Sequence, residues 1–258
     1  MKQVLKRIRE GMEFLDVAAT GGRGARRSPV AATWSRVVGV RRRAVAATAA
    51  VGLLMIAPNI RAEEKSSADS EREQKAKEWV ATLDLHDSAK EDRVIGVVAT
   101  HLIAVRDWHN SHPADTVPGG INPRTGEKLS DLDRSIIADS AMPPSIHENL
   151  MAGLRANLTE EQVETILDRY TVGKVAFTMK GYHAIVPDLT DEEEAQILSY
   201  LKEAREMAVD YKSMKQISAI FEIYKTKCER YLNRNGRDWR QLYKDFVSKV
   251  KAEKAAKE

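Results

Sequence analysis

From Lys75 onward the apolar residues recur at intervals of three and four, which is the period of a helix with one buried face. Trp79, Val80 and Leu83 form one short side over Lys75 to Leu83. Asp87 or Ser88 then caps a long helix to about His112, with the stripe Val94, Val97, Val98, His101, Leu102, Val105, Trp108, His109 and His112. Ser130 with Asp133 starts a short helix to about Ser140. Pro143-Pro144 starts another to about Asn157, with Pro144 in the first turn, where its missing N–H costs nothing. Two further starts share a pattern: Leu158, Thr159 and Gln162 precede Val163, Ile166 and Leu167, and Leu189, Thr190 and Glu193 precede Ile197, Leu198 and Leu201. Each is a capping box with a hydrophobic residue ahead of it. The pattern predicts helices over about 191–211 and 213–233, a turn at Asn235-Gly236, and a last helix from Asp238 to about Lys251.

Two stretches resist this reading. Pro113 to Leu129 is a connection of 17 residues with three prolines and three glycines, a length typical of lids, binding loops and linkers. In 171–187, Val175, Phe177 and Met179 alternate as in a strand, while Val172, Val175, Ala176, Met179 and His183 fit a helix. A loop entering a helix is the favoured expectation, with a small β-hairpin near 172–186 as the alternative. The expected fold class is therefore mainly α, with a single compact helical domain over 75–258 after a polar flexible linker over 63–74.

Residues 1–62 have a different character. Arg41, Arg42 and Arg43 precede Ala44 to Ala57, an uncharged apolar run of 14 residues, and Pro58 to Ala62 offers a small residue ahead of Glu63-Glu64. Basic region, short apolar region and small-residue cleavage site describe a secretory signal peptide cleaved near Ala62. The run falls short of the ~20 apolar residues a spanning helix needs. The stretch ahead of Arg41 is long for a signal, which suggests a start near Val37 or Val40, and the arginines carry a faint twin-arginine character. The expectation is a protein exported to the periplasm or secreted.

Charge reads differently once the leader is set apart. The 258-residue chain holds 41 Lys+Arg against 38 Asp+Glu, formally +3. Residues 1–62 hold 12 basic and 3 acidic residues, so 29 and 35 remain in 63–258, a net of about −6. A nucleic-acid partner is therefore not expected. Cys228 is the single cysteine and has no partner for a bridge within the chain. It falls on the face Met214, Ile217, Phe221, Tyr224, Cys228, Tyr231, as a buried hydrophobe.

Candidate chemistry gathers in two places. Arg106, Asp107, His109 and His112 close the long helix. His101 lies eight residues before His109, about 12 Å along the axis, so these two cannot share an ion. His109 and His112 can, but Asp107 points to the far side of the helix. No metal and no cofactor are assigned. The second group is Lys174, Thr178, Lys180, Tyr182 and His183, with Gly173 and Gly181 allowing close backbone approach. His109 is the expected acid–base group, Arg106 or Lys180 neutralises an acidic sugar, Tyr182 donates a proton, and Asp107 enters if the reaction is hydrolysis. Lys174, Thr178, His183 and His112 are expected to bind substrate. Nucleotide-binding, nucleophile-elbow, zinc-protease and paired-cysteine motifs are absent.

Arg106-Asp107-Trp108-His109, Tyr170 to Lys174, Thr178 to Tyr182, Pro187 to Thr190, Ala204-Arg205-Glu206 and Tyr224-Lys225 resemble the family listed as domain of unknown function 3826. The resemblance covers most of 79–258. It implies an exported bacterial helical protein, often from polysaccharide-degrading bacteria, and transfers no catalytic residue. Leu158, Thr159 and Gln162 also resemble the Leu-Thr-x-x-Gln signature of small periplasmic helical chaperones. Two functions are thus expected as alternatives: a carbohydrate-processing lyase or hydrolase, or a non-enzymatic periplasmic binding or chaperone-like protein.

Overall fold

The computed structural model describes residues 67–123 and 125–256, so the signal peptide, its cleavage site and the first residues of the expected linker lie outside the described part. The helices are α1 (Ser67–Ala81), α2 (Ser88–Ser111), α3 (Asp131–Ser140), α4 (Pro144–Asn157), α5 (Glu160–Thr171), α6 (Lys174–Ile185), α7 (Asp191–Ala208), α8 (Met214–Arg234) and α9 (Trp239–Ala255). The fold is mainly α. Among the described residues the extended backbone makes only one antiparallel bridge, Ile121 to Lys128, inside the long connection.

Most boundaries follow from caps. Asp87 accepts from the Lys90 N–H at the start of α2. Full capping boxes open α3 (Ser130, Asp133), α5 (Thr159, Gln162) and α7 (Thr190, Glu193). A fourth, Ser213 with Gln216, opens α8. Each satisfies two backbone N–H groups that the first turn leaves without helical partners.

Four expectations change. Residues 67–74 are not a linker, because they form the first two turns of α1. The hairpin does not form either. Val172 and Gly173 both take left-handed backbone, φ 54° and 65°, and this tight reversal separates α5 from α6. Alternation of Val175, Phe177 and Met179 is then accidental to a helix in which Val175, Thr178, Met179 and Tyr182 are the buried set. Gly181 lies within α6 with open space where a Cβ would stand, so it provides no close approach. In α8 the buried face is turned from the expected stripe: Ile217, Ile220, Phe221, Cys228 and Leu232 are inside, and Met214 is exposed.

The buried side chains make two clusters. Ala76 and Val80 of α1, Val94 and Val98 of α2, Leu150 and Leu154 of α4, and Ile166 and Tyr170 of α5 form the first. Val175 and Tyr182 of α6, Ile197 and Leu201 of α7, and Phe221, Cys228 and Leu232 of α8 form the second. Cys228 is fully buried, and burial pushes its thiol up to about 11, as an inert core residue.

Helices α2 and α4 approach closely at a single glycine. A Cβ on Gly153 of α4 would stand 2.7 and 2.8 Å from the two γ-carbons of Val97 on α2. Val97 is β-branched and cannot swing clear at χ1. Gly153→Ala is expected to destabilise the fold by about 1–2 kcal/mol, overpacking outweighing the ~1 kcal/mol that alanine gains in a helix. Urea unfolding measures this, and a gain in stability would contradict the close approach.

Candidate functional site

Three helices each turn an i, i+3, i+4 or i+7 face toward one cavity of about 760 Å³. From α1 come Arg72, Lys75 and Trp79; from α2, Leu102, Val105 and Arg106; from α5, Thr165, Asp168, Arg169 and Tyr170. The reversal at Val172-Gly173, the segment Val209 to Met214 and Ile217 of α8 complete the wall, adding Tyr211 and Lys212. The volume suits a small organic ligand.

The wall is strongly cationic. Arg72, Lys75, Arg106, Arg169 and Lys212 face the cavity against one carboxylate, Asp168. Asp168 accepts from the Arg205 guanidinium at 2.8 Å, and Arg205 is itself buried. Arg106 reaches Asp69 at 2.6 Å and Asp107 at 2.7 Å, and these bonds hold its charge in place. Lys75 lies over the Trp79 ring at 4.9 Å. Burial, then the neighbouring Arg72 charge, lower the Lys75 pKa. Burial, then Asp139 and Asp210, push the Tyr211 phenol up to about 12, so it stays protonated at neutral pH.

Val172 is a β-branched residue with positive φ, a conformation such residues rarely take. It is 69% exposed, so burial does not compensate the strain. It lines the cavity beside Gly173, where left-handed backbone is free of strain. Strain kept at a cavity wall is the pattern of functional sites.

Behind the wall lies a buried polar chain. One His101 ring nitrogen, Nε2, donates to Asp210 at 3.0 Å, and Nδ1 accepts from the Tyr170 hydroxyl at 3.1 Å. The other Asp210 oxygen meets His147 Nδ1 at 2.9 Å. Burial alone would raise Asp210, but bonds from His101 and His147 outweigh it and leave the carboxyl below its ordinary range. The bond to Asp210 raises His147 against the opposing effect of burial. This chain ties α2, α4 and α5 to the segment that carries Tyr211 and Lys212.

The expected site residues do not come together. Arg106 lines the cavity, and Asp107 accepts from its guanidinium instead of standing free as the carboxylate expected for hydrolysis. His109 turns to Asp139, with Nδ1 to Oδ2 at 2.8 Å, and Gln216 donates to the same oxygen. His112 ends α2: its ring stacks on Trp108 at 3.7 Å and its Nδ1–H donates to the Trp108 carbonyl. On α6, Lys180 is exposed while Tyr182 is 3% exposed. Tyr182 donates to the Lys225 carbonyl and packs against Trp239. Residues two apart on a helix point to nearly opposite sides, so these two cannot face one substrate. Burial lowers Lys174, which lies 5.6 Å from the Phe221 ring. Thr178 is buried, and His183 reaches Glu194 at 3.5 Å. None of these five α6 residues is on the cavity wall.

Tyr170, Tyr211, Asp210 and the cations of α1 and α5 were not singled out by sequence reasoning. Tyr170 lay inside a recognised motif. Arg72 shares helical spacing with Lys75 and Trp79, but it goes unnoticed when 63–74 is taken for a linker. No group of three or more His, Cys, Asp or Glu among the described residues is arranged to hold a metal ion. No helix among them is long and apolar enough to cross a membrane.

The fold and cavity define a helical domain with a cation-rich, aromatic-lined pocket. Residues 69–252 match the family model described as protein of unknown function (DUF3826), and the chain belongs to that family. A search of curated proteins finds no match to this chain.

Proposed function

We propose that this is an exported protein that takes an acidic saccharide into the cavity and cleaves it by β-elimination. The observation that carries this reading is the meeting of five cationic side chains with Trp79, Tyr170 and Tyr211 around one pocket. Aromatic walls suit the apolar faces of a sugar ring, and the cations suit its carboxylate. Export is supported by the basic cluster and apolar run of the leader.

Elimination fits the wall better than hydrolysis. Glycoside hydrolysis ordinarily uses two carboxyl groups, and the wall offers one, already held by Arg205. Elimination needs the uronate carboxylate neutralised, a base for the proton beside it, and an acid for the leaving oxygen. Arg169 neutralises, Lys75 in its neutral amine form accepts the proton, and Tyr211 donates one. The C–H electron pair becomes the new double bond, the carbon–oxygen bond breaks, and the leaving oxygen takes the Tyr211 proton. Tyr211 thus fills the role expected of Tyr182, and Lys75 that expected of His109.

The chaperone-like alternative draws less support. The exposed large apolar side chains among the described residues (Ile121, Ile137, Val172, Phe177, Met207, Met214 and Ile223) come from four helices and two connections rather than one amphipathic face. The test is incubation of the purified protein with polygalacturonate and alginate. Unsaturated-uronate absorbance is expected to rise, whereas new reducing ends without that absorbance would assign hydrolysis instead.

A further inference from the structure

The side chains of the cavity wall are rich in hydrogen-bond donors and poor in acceptors. Arg72, Arg106, Arg169, Lys212 and Trp79 offer N–H groups only, because guanidinium, ammonium and indole groups accept no hydrogen bond. The Tyr170 hydroxyl is turned away to His101. In the proposed elimination Lys75 and Tyr211 are committed to proton transfer. Such a wall recognises an anion, but it has little to accept the hydroxyl protons of a sugar. One charged side-chain acceptor stands on it, Asp168.

Asp168 is fixed from behind. Glu164 and Asp168 lie one turn apart on α5, and Lys202 and Arg205 lie on one face of α7. Lys202 donates to Glu164, Arg205 Nη1 donates to Asp168 Oδ1 at 2.8 Å, and Arg205 Nη2 lies 3.5 Å from Glu164 Oε1. Arg205 is buried and does not line the cavity, so it holds Asp168 without reaching a ligand. Only one carboxylate oxygen is used in this way. Oδ2 makes no hydrogen bond among the described residues, and the Asp168 side chain is 39% exposed. The second oxygen is therefore open to a ligand and already held in place for it.

The geometry points to Asp168 as the residue that reads a sugar hydroxyl: Oδ2 accepts from a hydroxyl of the saccharide while the neighbouring Arg169 meets its carboxylate. This rests on the reading of the cavity as a site for an acidic saccharide. It adds that the ligand is recognised as a polyol as well as an anion. A polyanion without hydroxyls meets the same cations but brings no proton to Asp168, and the like charges repel. A site built to bond a hydroxyl rejects the analogue that lacks it, because its own polar group is then left unpaired. A hydrogen bond to a charged acceptor corresponds to about ten- to a hundredfold in affinity.

The experiment is calorimetric titration of the wild type and of Asp168→Asn with two probes. One is trigalacturonate, and the other is trigalacturonate with its secondary hydroxyls O-methylated and its carboxylates free. The wild type is expected to bind the hydroxyl form at least about tenfold more tightly, and Asp168→Asn to reduce that ratio to about threefold or less. Thermal unfolding shows whether the variant is folded. If it is not, Asp168→Glu, which keeps a carboxylate for Arg205 but displaces its oxygens, takes its place with the same expected fall in the ratio. Equal affinity of the wild type for the two probes overturns the proposal without any variant. Weaker binding of both probes in step, with the ratio unchanged, shows a merely structural Asp168 and also overturns it, while the cavity reading stands. Absence of trigalacturonate binding to the wild type overturns the cavity reading, and the role of Asp168 with it.

Discussion

Asp210→Ala is expected to lower the unfolding free energy by about 3–5 kcal/mol near pH 6, the cost of removing one partner from a buried charged network. The Asp210 carboxylate holds His101, whose side chain is 1% exposed, on one oxygen and His147 on the other. Its loss leaves His101 bonded only to the Tyr170 hydroxyl and detaches the segment behind Tyr211 and Lys212. The pH dependence follows from the two shifts. The folded Asp210 pKa lies below the ordinary 3.8, so its contribution is present above that pH and is lost as acid protonates the folded carboxylate. The folded His147 pKa lies above the ordinary 6.5, so its contribution is complete below that pH and is lost as pH rises through the folded value. The difference between wild type and Asp210→Ala is therefore expected to be greatest between about pH 4 and 6.5 and to shrink on both sides. Guanidinium unfolding at several pH values measures it, and a small, pH-independent difference would mean that the chain contributes little to stability.

Lys75→Met is expected to reduce elimination by about 10²–10⁴-fold, the range associated with losing a general base. Lys75→Arg keeps the charge but cannot give up its proton at working pH, so it should be nearly as inactive while still binding the acidic saccharide. In the wild type the rate should rise with pH as the Lys75 amine loses its proton, at a pH below the ordinary 10.5. The measurement is the initial rate of unsaturated-uronate formation across pH for the three proteins. A Lys75→Arg variant with wild-type rate would remove the base role and leave Lys75 as a binding cation.

The helices were legible because capping and periodicity agreed. Thr159 with Gln162 and Thr190 with Glu193 marked true starts, and the stripe from Val94 to Val105 faced the core as its spacing required. α1 was illegible over its first half because nothing apolar marks it; Asp69 reaching Arg106, far along the chain, is a tertiary contact without a local signature. The hairpin alternative arose because Val175, Phe177 and Met179 alternate by chance, and the left-handed pair Val172-Gly173 that decides the matter is half non-glycine.

The site was legible in part. Arg106 and its partner Asp107 were found because they stand together with aromatic and imidazole neighbours. His109 was found for the same reason, but composition cannot say where a ring turns, and Asp139 holds it away from the role expected. Tyr182 and Lys180 seemed a pair from their closeness in sequence, and helical geometry separates them. The cavity depends on residues from four distant stretches, none of which forms a motif alone.

The cavity is proposed to select negative charge on a sugar. The most direct measurement is calorimetric titration of the purified protein with trigalacturonate and with its methyl ester at low and moderate salt. Binding of the acid form, weakened by salt and by Arg169→Gln, with no binding of the ester, is the predicted result. Equal affinity for the acid and its ester, unchanged by salt, would contradict the account.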